Sequence, residues 1–551
     1  MPDVSAGSVR VTAGQQVLLA GIVLTLFVFY LVVELRRNGT PGFPLDDPWI
    51  HLTFARNLAQ GRGFVFNSGQ PVAGSTAPLW TLVMAGCHLF TRSATAVVVT
   101  AKLLGAAFLA LAAVFALRIG ALLASDRRAG LVAGVALASL GPMGWAMMSG
   151  MEVTLSVALT LAGVYYYLRI PRGPGWYMAW VLFGASAWAR PEAMVLPGFA
   201  AVDVLLRRRH GEKAVFWKGV VVWLAALAPY FVLNQVLSGS PFPQTFSAKA
   251  GQSNLLAAMG SVSLGQIVTT ALRNLSKFVH EYSGFIWRAN PVLALLAPIG
   301  LIALVVRAVR SRVQPGYIVP LFALGLVPAM AVLVPVFGPA FQSGRYVGNA
   351  TALLVVATVA GSCIVLARVR GKTLRRGATA VLLALGAFNA VTVTLATAQN
   401  TAQAAKSINA MQVKLGLWLR DSTPAAAKLA CSDIGAIGYY SGRPVIDLSG
   451  LVTKEILAYR RVPNGREQFI RDVRPDYLVI FPVAFPGFRD ATFLQPLTYV
   501  DPEDNTASLY DLQPRPRALA GVLLLDLEVE PVRAPLVVFK CLWQGADARP
   551  D

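Results

Sequence analysis

Apolar residues run along this chain in blocks divided by short basic loops, and that alternation predicts a bundle of membrane-crossing helices. A spanning helix needs about 20 mostly apolar residues. The first block is uncharged from Val11 to Val33. Later uncharged runs lie between Arg128 and Glu152, Glu152 and Arg169, Arg172 and Arg190, and Lys218 and Lys249. Others lie between Arg288 and Arg307, Arg312 and Arg345, Arg345 and Arg368, and Arg376 and Lys406. The segment 97–124 is also apolar, with Lys102 and Arg118 near its ends, where they can snorkel. Residues 77–90 are apolar but short, which suggests a re-entrant or interfacial helix. The stretch 176–206 reads as two short helices meeting at Ala189-Arg190-Pro191-Glu192.

The basic clusters are Arg127-Arg128; Arg169 with Arg172; Arg207-Arg208-Arg209 with Lys213 and Lys218; Arg307, Arg310 and Arg312; and Arg368 to Arg376. The positive-inside rule places all five in the cytoplasm. The expectation is about 11 crossings with the N-terminus inside and the C-terminus outside, the first apolar segment being a retained anchor. The opposite loops then face outward. They carry Asp46-Asp47 in a first outer loop of about 35–76, Glu152, Arg190 with Glu192, residues 236–288, and Arg345-Tyr346.

Beyond about residue 398 the pattern changes. Charges of both signs mix, and short β-rich runs appear at 444–448, 476–481 and 522–525. The fold class expected is therefore mostly α: a polytopic membrane helix bundle over 1–398, about 11–12 helices, with an extracytoplasmic α/β domain over 399–551.

Composition agrees. Of 551 residues, 56% are hydrophobic and only 14% charged, where soluble domains average about 25% charged. The net charge of +21 would suggest nucleic acid in a soluble protein. Here the cations sit in the loops between apolar runs, so they report topology and contact with membrane lipids, not nucleic acid. Cys87, Cys363, Cys431 and Cys541 have no metal spacing. Cys431 and Cys541 could pair only if the C-terminal region is extracytoplasmic. No P-loop, dinucleotide fingerprint or nucleophile elbow is present, so ATP use and serine hydrolysis lose support.

Two adjacent carboxylates after the first apolar block are costly to desolvate. Asp47-Pro48 has the grammar of a helix start and Gly61 of its stop, so Asp47 reads equally as a structural cap. Ile50, Phe54 and Leu58 form a stripe suited to the bilayer surface. Asp46 has no capping duty and is the better candidate for a general base. Arg190 and Glu192 read as a hairpin ion pair or as site residues. Lys249 and Arg345-Tyr346 are interfacial anchors or ligands of a lipid phosphate. His51 and His88 form no metal pattern. Weak binding of Mg²⁺ or Ca²⁺ by the acids is left open.

These residues resemble a family. Asp46-Asp47-x-x-Ile50, Ala55-Arg56-Asn57-Leu58, Gly61-x-Gly63-x-x-Phe66-Asn67-x-Gly69 and Pro78-Leu79-Trp80 look like the first outer loop of bacterial GT-C glycosyltransferases. The match is closest to those resembling the terminal β-(1→2)-arabinofuranosyltransferase of mycobacterial cell walls. Gly150-Met151-Glu152, Arg190-Pro191-Glu192, Pro243-x-Thr245-Phe246-x-Ala248-Lys249 and Gly344-Arg345-Tyr346 follow in order. The C-terminal region adds Asp433-Ile434-Gly435-Ala436-Ile437-Gly438-Tyr439-Tyr440 and Val445-Ile446-Asp447-Leu448-x-Gly450-Leu451. Pro48-Trp49 and Gln244 depart from the family pattern. The resemblance implies a polyprenyl-phosphate-sugar donor, arabinofuranose being the sugar it points to. It also implies an envelope glycan or lipid acceptor and an inverting transfer at the outer face of the bacterial cytoplasmic membrane. It puts the base at Asp46, with Asp47 beside it. Lys249, Arg345, Arg190, Tyr346 and Arg56 would bind the donor; Glu152, Glu192 and His51 would serve the acceptor or support the site. A lipid-sugar transporter and a non-catalytic scaffold are the competing readings. The first predicts midplane charges and inverted repeats, neither of which the sequence offers.

Overall fold

The structure is a computed structural model. It describes residues 11–169, 174–207, 212–250, 264–311, 317–333, 337–460, 462–485, 488, 491–500, 510–511 and 536–543. Arg172, Arg208, Arg209, Arg312 and the run 522–525 lie outside them. The first helix, Ala13–Asn38, begins at a capping box between Thr12 and Gln15 and stops at Gly39 in the left-handed conformation. Six helices among the described residues are long and apolar enough to cross a membrane, or seven if the bent pair Arg127–Ala138 and Gly141–Met148 is one span. Val153–Arg169 and Ile318–Val332 are shorter apolar helices. The protein is thus a multi-pass membrane bundle.

Its two ends differ. At one end Arg307 of one basic cluster donates to Ser125, beside Arg127-Arg128, at 2.9 Å, and Arg118 donates to Gln16 at 3.2 Å. There the Asp203 carboxylate also accepts from the backbone N–H groups of Tyr317 and Ile318. The candidate site and the C-terminal sheet lie at the other end. Helices pack closely where small residues allow it. A Cβ on Gly361 would lie 2.0 Å from the carbonyl oxygen of Gly300, so the helices Pro291–Ser311 and Gly348–Leu366 touch through backbone. Outward, Leu374, Val381, Phe388 and Val391 stand exposed on the helix Lys372–Ile408, the surface a lipid-facing helix presents.

One segment differs from the pattern expected of it, and a second, 77–90, is as short as expected. Residues 236–288 hold, besides loops, the 26-residue helix Leu264–Ala289. Its charges interrupt any uncharged run, yet Phe278, Phe285 and Ile286 share one buried side. The segment 77–90 forms an 11-residue helix, Pro78–His88. At about 1.5 Å per residue it reaches only part of the way across a bilayer.

The helix Lys372–Ile408 continues through a π-helical turn, Asn409–Val413, into Lys414–Ser422. No break marks residue 398. Beyond it lies a six-stranded sheet of order β2-β1-β3-β6-β4-β5: β1 Leu429–Cys431, β2 Val445–Asp447, β3 Tyr477–Ile480, β4 Leu494–Val500, β5 Tyr510–Asp511 and β6 Leu536–Cys541. β2, β1 and β3 are parallel; β6, β4 and β5 add antiparallel. Cys431 and Cys541 are free thiols on β1 and β6, with β3 between them. Ile50 and Phe54 of the helix Asp47–Ala59 are buried in one cluster with Leu429, Val479 and Val538. Ile50 and Phe54 thus cover the sheet and not the bilayer surface, while Leu58 packs in a separate cluster with Trp49 and Trp80.

Candidate active site

The site is built on the helix Asp47–Ala59. The turn before it is fixed by Glu34, which accepts from the Gly42 N–H at 2.8 Å and pairs with the buried Lys102. The helix starts with Asp47 as its first residue, Pro48 in its first turn and Asp46 in the cap position. Asp46 makes no side-chain cap. Its carboxylate accepts from the N–H groups of Gly435 and Ala436, each at 2.7 Å. Burial raises the Asp46 pKa, and Asp433 nearby adds to the rise; the two amides oppose it. This geometry departs from the expected division of labour, in which Asp47 was the cap and Asp46 the free acid. A fold contact some 390 residues away in sequence occupies Asp46.

Asp47 faces a cavity of about 430 Å³. Its Oδ2 accepts from Arg345 Nη1 at 2.6 Å, and its side chain stays 37% exposed against 6% for Arg345. Arg345 also donates to the Tyr346 hydroxyl at 3.0 Å. The Tyr346 ring lies 5.0 Å from the guanidinium carbons of both Arg345 and Arg190. Arg190 pairs with Glu152 at 2.5 Å and with Glu192 at 3.1 Å. His51 Nε2 is 3.7 Å from Glu152, and its Nδ1 shares a 2.8 Å hydrogen bond with Ser75, which in turn meets Thr81.

Burial would lower the basicity of Arg345, but Asp47, Tyr346 and Glu152 together more than offset it, so the net shift is upward. Arg190 behaves likewise through Glu192 and Glu152. Burial lowers the His51 pKa and keeps the ring neutral, although Glu152 pulls the other way. Both guanidiniums keep an unused Nε donor among the described residues. Buried, charged and incompletely satisfied donors favour an incoming anion. The rest of the lining is mainly apolar, including Met194, Tyr230, Phe246, Leu326 and Met330.

Backbone strain delivers Arg345. Gln342, Ser343 and Gly344 have φ of 47°, 55° and 72°, three consecutive left-handed residues. For the two non-glycines this costs about 1–2 kcal/mol each, and such strain concentrates at functional sites.

The structure therefore brings Asp47, His51, Glu152, Arg190, Glu192, Arg345 and Tyr346 around one cavity. Lys249 lies on the short helix Gln244–Ala250, whose Thr245 and Phe246 line the same cavity, but its side chain is outside the described residues. Arg56 stands elsewhere: its guanidinium stacks 4.4 Å from the Tyr439 ring and donates to the Tyr439 carbonyl. Sequence reasoning missed the Ser75–Thr81 relay and the stack of Phe337 on Phe341 and Tyr346, with centroids 4.4 and 5.7 Å apart. It also gave no role to Asp447. That carboxylate accepts from the N–H groups of Ser449, Leu451 and Val452 and so shapes the loop that brings Leu451 to the cavity. Among the described residues no three His, Cys, Asp or Glu side chains are grouped to hold a metal ion.

Comparison with solved structures defines the class of fold as GT-C. ArnT from Cupriavidus metallidurans in the apo state superposes with a TM-score of 0.57 at 15% identity, covering 96% of this chain and 99% of that one. ArnT bound to undecaprenyl phosphate gives 0.54 at 14% identity, with the same coverage. The Archaeoglobus fulgidus oligosaccharyltransferase, tethered to an acceptor peptide, gives 0.54 at 12% identity over 90% of this chain and 74% of that one. At these identities the likeness concerns the fold. Residues 400–516 match a family described as a domain of unknown function (DUF8728). No curated protein matches in sequence.

Proposed function

We propose that this protein is an inverting membrane glycosyltransferase that moves a sugar from a polyprenyl-phosphate donor to an envelope glycan or lipid. The observation that carries the reading is the Asp47–Arg345 pair at the mouth of an apolar cavity, with Arg190 close by. A carboxylate and a guanidinium in contact are each other's partner only until a phosphate competes for the guanidinium. Arrival of the donor would move Arg345 onto the phosphate and release Asp47 beside the anomeric carbon. An acceptor hydroxyl then attacks that carbon from the face opposite the phosphate. Asp47 takes the hydroxyl proton as the new C–O bond forms. The old C–O bond breaks, and its electron pair leaves on the polyprenyl phosphate, stabilised by Arg345 and Arg190.

This assigns the base to Asp47 in place of Asp46, whose two oxygens are taken by backbone amides. Two fold neighbours were solved with a polyprenyl phosphate: ArnT with undecaprenyl phosphate and AglB with dolichol-phosphate. The resemblance of the outer-loop motifs favours arabinofuranose. The basic clusters at the far end of the bundle favour a cytoplasmic membrane location with the site and the 399–551 domain outside. There a lipid carrier supplies the activated sugar that no nucleotide donor can.

The test is transfer of labelled sugar by the purified protein from a panel of polyprenyl-phosphate sugars to an envelope glycan extract. Labelled glycan with one donor supports the proposal. Donor crossing sealed vesicles unreacted, with no glycan labelled, would replace it with a transporter.

A further inference from the structure

A second cavity, of about 750 Å³, opens on the other side of the helix Asp47–Ala59. Arg56, Arg92 and Arg420 line it with His88, Tyr439 and Tyr440, and no acid does. Arg420 pairs with Asp421, which is itself exposed and outside the lining. Arg92 has no ion-pair partner among the described residues. His88 Nε2 is buried without a hydrogen-bond partner among them. Burial, with Arg56 nearby, lowers the His88 pKa to about 4, so the ring is a neutral group able to donate. Burial also lowers the basicity of Arg56, with Arg62 adding to the fall, while Tyr439 opposes it. Arg56 and Arg92 form no ion pair among the described residues, and Arg420 is paired only with an exposed acid outside the cavity, so an anion entering it would meet cations that no lining acid neutralises.

The rim shows what kind of anion. Leu89 and Phe90 follow the short helix Pro78–His88 and line the same cavity. They are 68% and 90% exposed, and Phe90 is the most exposed large hydrophobic among the described residues. An exposed Leu-Phe tip beside arginines, in a membrane protein, matches the boundary between headgroups and acyl chains.

We propose that this cavity holds the phosphate headgroup of an anionic membrane phospholipid, with Arg56, Arg92 and Arg420 around the phosphate and Leu89 and Phe90 in the acyl region. The inference does not depend on the proposed reaction. The site also lies behind the first cavity. The Trp49 ring sits 5.0 Å from Tyr439 and 4.9 Å from Tyr440, two residues from Asp47, so a bound headgroup would brace the wall that carries the acid.

The full-length protein in nanodiscs of phosphatidylcholine with phosphatidylglycerol, released and weighed by native mass spectrometry, tests this. Wild-type protein should retain phosphatidylglycerol over phosphatidylcholine. Arg92→Gln and Arg420→Gln, at exposed positions that leave the fold intact, should each cut that preference about tenfold, the worth of one charge-assisted hydrogen bond. Equal retention by wild type and both variants would overturn the site. Thermal stabilisation by inorganic phosphate equal to that by phosphatidylglycerol, and lost in the same variants, would show an anion site without lipid selectivity and overturn the lipid source.

Discussion

The two sides of the helix Asp47–Ala59 bury charge in opposite ways. Toward the bundle, Asp47 is met by another side chain, the guanidinium of Arg345. Toward the sheet, Asp46 is met by the fixed amides of Gly435 and Ala436. A guanidinium can be drawn away by a phosphate; a backbone amide inside a folded domain cannot. Exchangeable partners therefore suit chemistry, and fixed partners suit assembly.

The comparison breaks first at the acids. Asp47→Asn keeps shape but cannot accept the proton, so transfer per folded molecule should fall about 10²–10⁴-fold. Asp46→Asn should fall less than tenfold. The reverse ranking in a purified-enzyme assay would return the base to Asp46. A second large effect belongs to Arg190. Arg190→Ala leaves Glu152 buried at 2% exposure with its charge uncompensated. Thermal unfolding in detergent should register a loss of about 3–5 kcal/mol, and an unchanged melt would mean the pair contributes nothing.

On the sheet side the expected effect is smaller. Asp46→Ala orphans the two amides, at a cost of about 1–3 kcal/mol in docking the domain. Limited proteolysis should then cut between the bundle and the sheet faster than in wild type. The smallest effect is one of pH. His51 is held neutral, its pKa below the ordinary value of about 6.5. The unfolded chain takes up a proton that the folded one resists, so this contribution is complete above that pH and is lost as pH falls below it. His51→Gln should flatten the acid limb of the stability curve. An unchanged limb would place the titration in another group.

How much of this was legible depended on range. The bundle was, because hydropathy and loop charge are local signals: the helix Ala13–Asn38 and the hairpin around Pro191 lie where apolar runs and their interruptions put them. The candidate cavity residues Glu152, Arg190 and Arg345 were legible as polar groups at loops of one end. Which acid would face them was not. Asp46 and Asp47 are neighbours in sequence, and only the sheet domain, nearly 400 residues on, separates their surroundings. For the same reason Ile50 and Phe54 looked like a membrane-surface stripe when their partners are on β1, β3 and β6. The helix Leu264–Ala289 escaped because its buried side is interleaved with charge.

The central claim is that a lipid phosphate competes with Asp47 for Arg345. The direct measurement is the affinity of polyprenyl phosphate, without sugar, for wild-type protein and for Asp47→Asn. Loss of the competing carboxylate should tighten binding about tenfold, the worth of one charge-assisted contact. Equal or weaker binding by Asp47→Asn would contradict the claim, because the carboxylate would then not stand in the place the phosphate takes.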